Sequence, residues 1–173
     1  MEANNEVKKK KKKSKKKSKK SLRRWLWPIE KLLVFIVILA AIFTFEFSAH
    51  LTEGGSMYPY LQDSTLVLYY RHGKVVRNLV VAYKSDNKIR VGRVIGIPGD
   101  KVSVEAGKCY INDVEQESFY RIKGSVKEHT IGANQYFVLN DYRIDTNDSR
   151  TFGDINASAI EGTYFCSFHT GVI

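Results

Sequence analysis

The chain has 173 residues, enough for one modest domain with appendages, and a net charge of +10. Residues 1–24 hold 11 Lys and 2 Arg against Glu2 and Glu6, while the other 149 residues hold 15 basic and 16 acidic groups. The folded part is therefore nearly neutral, which excludes reading the net charge as a basic face of a domain.

The N-terminal run "KKKKKKSKKKSKKSLRR" has no apolar periodicity and repels itself, so residues 1–24 are expected to be a disordered tail. Nucleic-acid binding is one reading of such a run. A cytoplasmic anchor that attracts anionic lipid fits better, because an apolar segment follows at once. No nucleic-acid partner is expected.

A membrane span is expected over residues 25–48. Pro28 suits a first helical turn, and Glu30 lies where the helix dipole favours an acid. "LLVFIVILAAIFTF" is apolar around the whole helix, and Trp25 and Trp27 fit an interfacial belt. A cleavable leader is the rival reading, but Phe47-Ser48-Ala49-His50 offers no small-x-small cleavage site. With lysines on the inner side, the N-terminus is expected in the cytoplasm and residues 49–173 outside.

The rest reads as short β-rich runs with turn punctuation. Strands are expected at 64–70, 78–84, 89–97, 100–106, 108–114, 135–140 and 163–168, and no amphipathic helix of 10 residues follows residue 50. "IPGD" is a turn signal, and "EAGKCYIND" reads as a hairpin around Gly107. The fold class is mostly β, a bent antiparallel sheet or partial barrel behind one transmembrane helix. Cys109 and Cys166 sit where a disulfide is permitted, though small buried hydrophobes are the better reading. His50, His72, His129 and His169 lack metal-ligand spacing, and neither a metal nor a cofactor is expected.

Three stretches carry candidate chemistry. In "EGGSMYPYL", Gly54 and Gly55 free the backbone and Pro59 stiffens the chain after Ser56, although a linker turn explains the same residues. Ser56 is expected near the bilayer surface, with Met57 and nearby aromatics dipping into the interface. "GRVIGIPGDKVSVEAGKCYIND" reads as a rigid strand–turn–hairpin frame. "VLNDYRIDTNDSRTFGDI" alternates aspartates with Arg143 and Arg150, which suggests a buried ion-pair lock more than a metal site.

Taken in order, the basic tail, the single span, "GGSMYPYL", "GRVIGIPGD" and "NDSRTFG" resemble a Gram-positive type I signal peptidase, a membrane-anchored serine protease of the Ser–Lys class. The resemblance implies that Ser56 is the nucleophile and that its N–H, with Gly54 two residues earlier, forms the oxyanion site. Met57 and Pro59 would then line the cleft, and Asp148, Ser149 and Arg150 would brace it. Thr146 stands where the family has a serine that orients the lysine base.

That lysine is missing. Its position is Gly92, and Tyr60, Arg77-Asn78, Asn140 and Tyr142 also depart from the family pattern. Arg90 and Arg93 cannot deprotonate usefully. Lys88, four residues from Gly92, is about 13 Å away along a strand. His129 is a remote alternative. Losing general-base help typically costs about 10²–10⁴-fold, so impaired hydrolysis is expected, with a water-filled void at Gly92. The resemblance implies binding of extended signal-peptide or pilin segments, and non-catalytic members imply a sortase-linked pilus role. The alternative is a working signal peptidase acting on preproteins.

Overall fold

The computed structural model describes residues 27–118 and 120–169. The segment expected to be a disordered basic tail lies outside the described residues.

Helix α1, Trp27–Glu46, has 20 residues and is long and apolar enough to cross a membrane by length and composition. Its large side chains, among them Leu32, Phe35, Val37 and Phe43, are exposed. Thr44, its one hydroxyl, donates to the carbonyl of Ala41 at 3.0 Å, so that hydroxyl is satisfied within the helix.

The helix stops short of the expected residue 48. Phe47–Leu51 forms strand β1, paired antiparallel with β2, Thr65–Tyr70, from Phe47↔Tyr70 to Leu51↔Leu66. Apolar residues at 47 and 51 extend the run from the helix, so composition alone does not mark the change. The partner strand decides it.

The other strands are β3 (Val80–Ser85), β4 (Lys88–Gly96), β5 (Lys101–Glu105), β6 (Lys108–Ile111), β7 (Val114–Glu115), β8 (Val126–Thr130), β9 (Gln135–Leu139), β10 (Ile155–Asn156) and β11 (Ile160–His169). They form a seven-stranded sheet in the order β1-β2-β11-β3-β4-β9-β10 and a four-stranded sheet in the order β7-β6-β5-β8. All described pairings are antiparallel. The class is mostly β, as expected, and every expected strand is present. β1, β8 and the two-residue β7 and β10 were not anticipated. β8 reads "VKEHT", too polar and too exposed to show alternation.

Local chemistry explains the turns. Asp86 and Asn87 both have positive φ (49° and 59°) between Ser85 and Lys88, as do Ala106 and Gly107 (50° and 82°) between Glu105 and Lys108. Two such residues match the twist of a tight hairpin. At "IPGD", Gly99 has φ +89°, the Asp100 N–H reaches Ile97 O at 3.0 Å, and the Asp100 carboxylate accepts from Ile97 N at 2.8 Å. This turn carries the chain from the large sheet into the small one.

β3 reads Val80-Val81-Ala82-Tyr83 with all four buried, because the large sheet is covered on both faces there. Val80 and Ala82 join Met57, Leu61, Val67 and Tyr69 on one face. Val81 and Tyr83 join Val94, Val138 and Ile155 on the other. A third cluster, including Ile95, Val102, Ile111, Phe137 and Leu139, packs the small sheet onto the large one. Both Cys109 and Cys166 are free thiols, and burial pushes Cys109 up to about 11.

Candidate active site

The Ser56 turn is held from beneath. Met57 and Leu61 are 2% and 3% exposed, and the Leu61 N–H returns to Met57 O at 2.9 Å. Met57 is therefore a core anchor, which corrects the expectation that it dips toward a lipid interface. Tyr58, Pro59 and Tyr60 are exposed. Gly54 has φ +75°, and its N–H donates to the Asp63 carboxylate at 2.7 Å. That N–H is thus engaged, which removes it from the expected oxyanion site.

Ser56 is half-buried, and its carbonyl accepts from Tyr142 N at 2.9 Å, which ties the turn to the loop after β9. Its hydroxyl makes no hydrogen bond to any described residue. Ser56 lines a cavity of about 680 Å³ with His50, Lys88, Arg90, Asn140 and Asp145. A second hollow on its other side is bordered by Tyr58, Asp63, Tyr142 and Asp145.

Two strand edges face the first cavity. Among the described residues β1 pairs with β2 alone. β4 pairs with β3 from Lys88 to Arg93, but β9 covers its other side only from Arg93 onward. Residues 88–92 therefore have one side with no described strand against it, and residues 49–54 line the same cavity as residues 88–91.

Gly92 is buried in β4, opposite Val81. A Cβ there would lie 2.5 Å from Val138 Cγ1 and 3.4 Å from Tyr83 Cε1. The expected water-filled void is absent: Val138, from β9, occupies the start of the path a lysine side chain would take. The sequence could not show this, because the filling residue comes from a distant strand.

The ion-pair lock is present. Asp148 and Arg150 have side chains 0% and 1% exposed, joined by Nε–Oδ1 at 2.8 Å and Nη2–Oδ2 at 2.5 Å. Asp148 also caps the short helix α2, Ser149–Phe152, by accepting from Arg150 N, and accepts from Asn140 N at 2.9 Å. Arg150 donates to the carbonyls of Lys123, Arg143 and Asp145. Ser149 Oγ accepts from Val138 N at 2.9 Å. The lock therefore holds the loop against β9, close to Ser56. Thr146 belongs to this loop, with its carbonyl accepting from Asp148 N and Thr151 Oγ1. Its neighbours Asp145 and Asn147 line the Ser56 cavity, whereas Thr146 and Gly92 are not among the lining residues.

The family departures form a second cluster. Arg93 makes a two-pronged pair with Asp141 (2.8 and 2.6 Å), donates to Asn78 O at 2.7 Å and lies over the Tyr60 ring at 4.8 Å. The hydrogen bonds to Asp141 raise its pKa further, against burial, so it stays a fixed cation. Arg77 is bound to Asp100 under the "IPGD" turn. Tyr60, Arg77 and Asn78 are thus each held by a contact to an arginine or an aspartate.

Of the alternative bases, Lys88 lines the cavity but is exposed, and His129 pairs with Asp154 at 3.2 Å outside it. The residue missed is His50, on β1. It shares the cavity with Ser56, and its Nε2 is buried without a partner. Burial lowers its pKa, Glu161 opposes this and Arg71 assists it, so the imidazole is held neutral. No local sequence signal marks His50, because its environment depends on strand pairing.

A family model described as signal peptidase, peptidase S26, matches residues 22–169. A signal peptidase I of Bacillus caldolyticus is 30% identical over 162 residues, covering 81% of this chain and 86% of its own. Signal peptidase I U of Bacillus subtilis is 32% identical over 139 residues, 66% of this chain and 73% of its own. Signal peptidase IB of Staphylococcus aureus is 31% identical over 160 residues, 78% and 84% of the two chains. A crystal structure of a signal peptidase I from Enterococcus faecalis aligns with a TM-score of 0.47 at 25% identity, over 53% of this chain and 97% of that one.

Proposed function

The chain belongs to the signal peptidase (peptidase S26) family, and we propose that it is a membrane-anchored receptor for extended peptides in which hydrolysis is impaired. The carrying observation is the pair of uncovered strand edges, at β1 and at residues 88–92 of β4, bordering one cavity with Ser56. An extended peptide adds to such edges through main-chain hydrogen bonds and reads its neighbours through alternate side chains. Impairment follows from Gly92, which supplies no base, and from a Ser56 hydroxyl with no described partner to take its proton.

The ligand is a preprotein signal peptide or a pilin segment, with a sortase as the accompanying partner in surface pilus assembly. α1 spans the membrane, the lysine-rich N-terminus stays in the cytoplasm on anionic lipid, and the β domain lies outside.

A second reading is an active signal peptidase, and His50 favours it. A neutral imidazole with a free buried nitrogen, sharing a cavity with the serine, has the chemistry of a general base. The deciding experiment incubates detergent-solubilised protein with preprotein, beside Ser56→Ala and His50→Gln. The receptor reading expects no serine-dependent product and retained peptide binding in both variants. Cleavage lost in Ser56→Ala and reduced about 10²–10⁴-fold in His50→Gln would establish the second reading instead.

A further inference from the structure

We propose that the cavity beside Ser56 recognises a carboxylate on the bound peptide, with Arg90 as its cationic anchor; this rests on the peptide-binding reading and names the ligand's chemistry.

Arg90 stands on the uncovered part of β4 and lines the cavity. Its guanidinium lies over the Phe152 ring, 4.6 Å from the centroid, and makes no hydrogen bond to any described residue. The ring contact holds the guanidinium in place, and its N–H fork suits a planar acceptor. The nearest acid, Asp86, is 4.0 Å away with a side chain 68% exposed, a contact too long and too wet to occupy the fork. Arg90 Nε is buried with no partner.

Asn140 supplies the second observation. It is 1% exposed, lines the same cavity, and its Nδ2 is buried and unpartnered. Its backbone N–H is already used by Asp148, so the lock fixes where that side chain stands. Lys88 adds another cation on the same wall. Glu53 and Asp145 also line the cavity, but Asp145 Oδ1 is taken by both the backbone and side-chain nitrogens of Asn147. Arg90 Nε and Asn140 Nδ2 are unpartnered donors on this lining, which also holds His50 Nε2 and the Glu53 carboxylate, and the complement of the two donors is an anionic acceptor. A peptide carries one either as its terminal carboxylate or as an aspartate or glutamate side chain.

The test measures binding of fluorescently labelled alanine-rich nonapeptides to the detergent-solubilised full chain by anisotropy at low salt. The probes are the free acid, the C-terminal amide, and amides carrying one glutamate or glutamine at each central position in turn. The expected result is at least tenfold tighter binding of one acidic form than of its neutral isostere. That preference should fall below twofold in Arg90→Gln and be partly kept in Arg90→Lys, which retains charge without the fork. The free-acid and glutamate series tell the two carboxylate sources apart. Equal affinity of acidic and neutral peptides in the unaltered protein overturns the proposal while leaving peptide binding intact. Failure to bind any peptide overturns both. The acid–neutral comparison needs no variant, so it stands even if Arg90→Gln folds poorly.

Discussion

Val138 Cγ1 lies 2.5 Å from the point where a Cβ on Gly92 would stand. The contact bears directly on whether a lysine can be introduced at this position. Gly92→Lys alone should lower the thermal midpoint by several degrees, since forcing atoms into a packed core typically costs about 1–3 kcal/mol. It should give little serine-dependent cleavage. Gly92→Lys with Val138→Ala clears the path and should recover stability and raise cleavage of a preprotein. Equal cleavage by the single and double variants would show that Val138 does not obstruct the lysine.

The Asp148–Arg150 pair should dominate the stability of the loop beside Ser56. Asp148→Ala strands a buried guanidinium and removes the α2 cap, a loss of about 3–5 kcal/mol. Urea unfolding monitored by circular dichroism measures it. Replacing both residues with apolar ones of similar volume should cost less than Asp148→Ala alone. A loss below about 1 kcal/mol in Asp148→Ala would remove the lock from the account of this site.

Met57 links the Ser56 turn to the core. Met57→Ala should destabilise the protein by about 2–5 kcal/mol, while Met57→Leu should stay within about 1.5 kcal/mol. Paired denaturant melts give both values. If the alanine variant melts like the parent, the turn is held by its hydrogen bonds alone.

Two histidines should act on stability in opposite directions with pH. His50 has a folded pKa below its unfolded value of 6.5, so the unfolded chain binds more protons and stability falls as pH drops through that value. His129 is raised instead: burial opposes the shift, but the Lys127 carbonyl and Asp154 outweigh it. Its contribution is fully present below 6.5 and is lost as pH rises through its folded pKa. Melts between about pH 5 and 8 should show His50→Gln weakening the acid-side decline, and His129→Gln removing the stabilisation on that side. The reverse pattern would contradict both environments.

By itself the sequence determined the β class, the hairpin around Gly107, the "IPGD" turn and the Asp148–Arg150 lock, because each depends on residues close together in the chain. Positive φ at Asp86-Asn87 and Ala106-Gly107 follows from local backbone chemistry. The family resemblance was legible for the same reason, being carried by short contiguous runs. It also drew attention to Ser56 and Gly92.

Only the tertiary structure decided what surrounds them. β1 looked like the end of the apolar helix until β2 was there to pair with it, and that pairing set His50 on the wall of the Ser56 cavity. Gly92 announced a missing side chain, but whether the space is empty depends on β9, which fills it with Val138. Arg90 and Asn140 read as ordinary polar residues, and became unpartnered donors through the packing of β4 against the loop after β9. Short-range patterns select backbone geometry. The contents of a cavity come from strands far apart in sequence, and no local signal encodes their meeting.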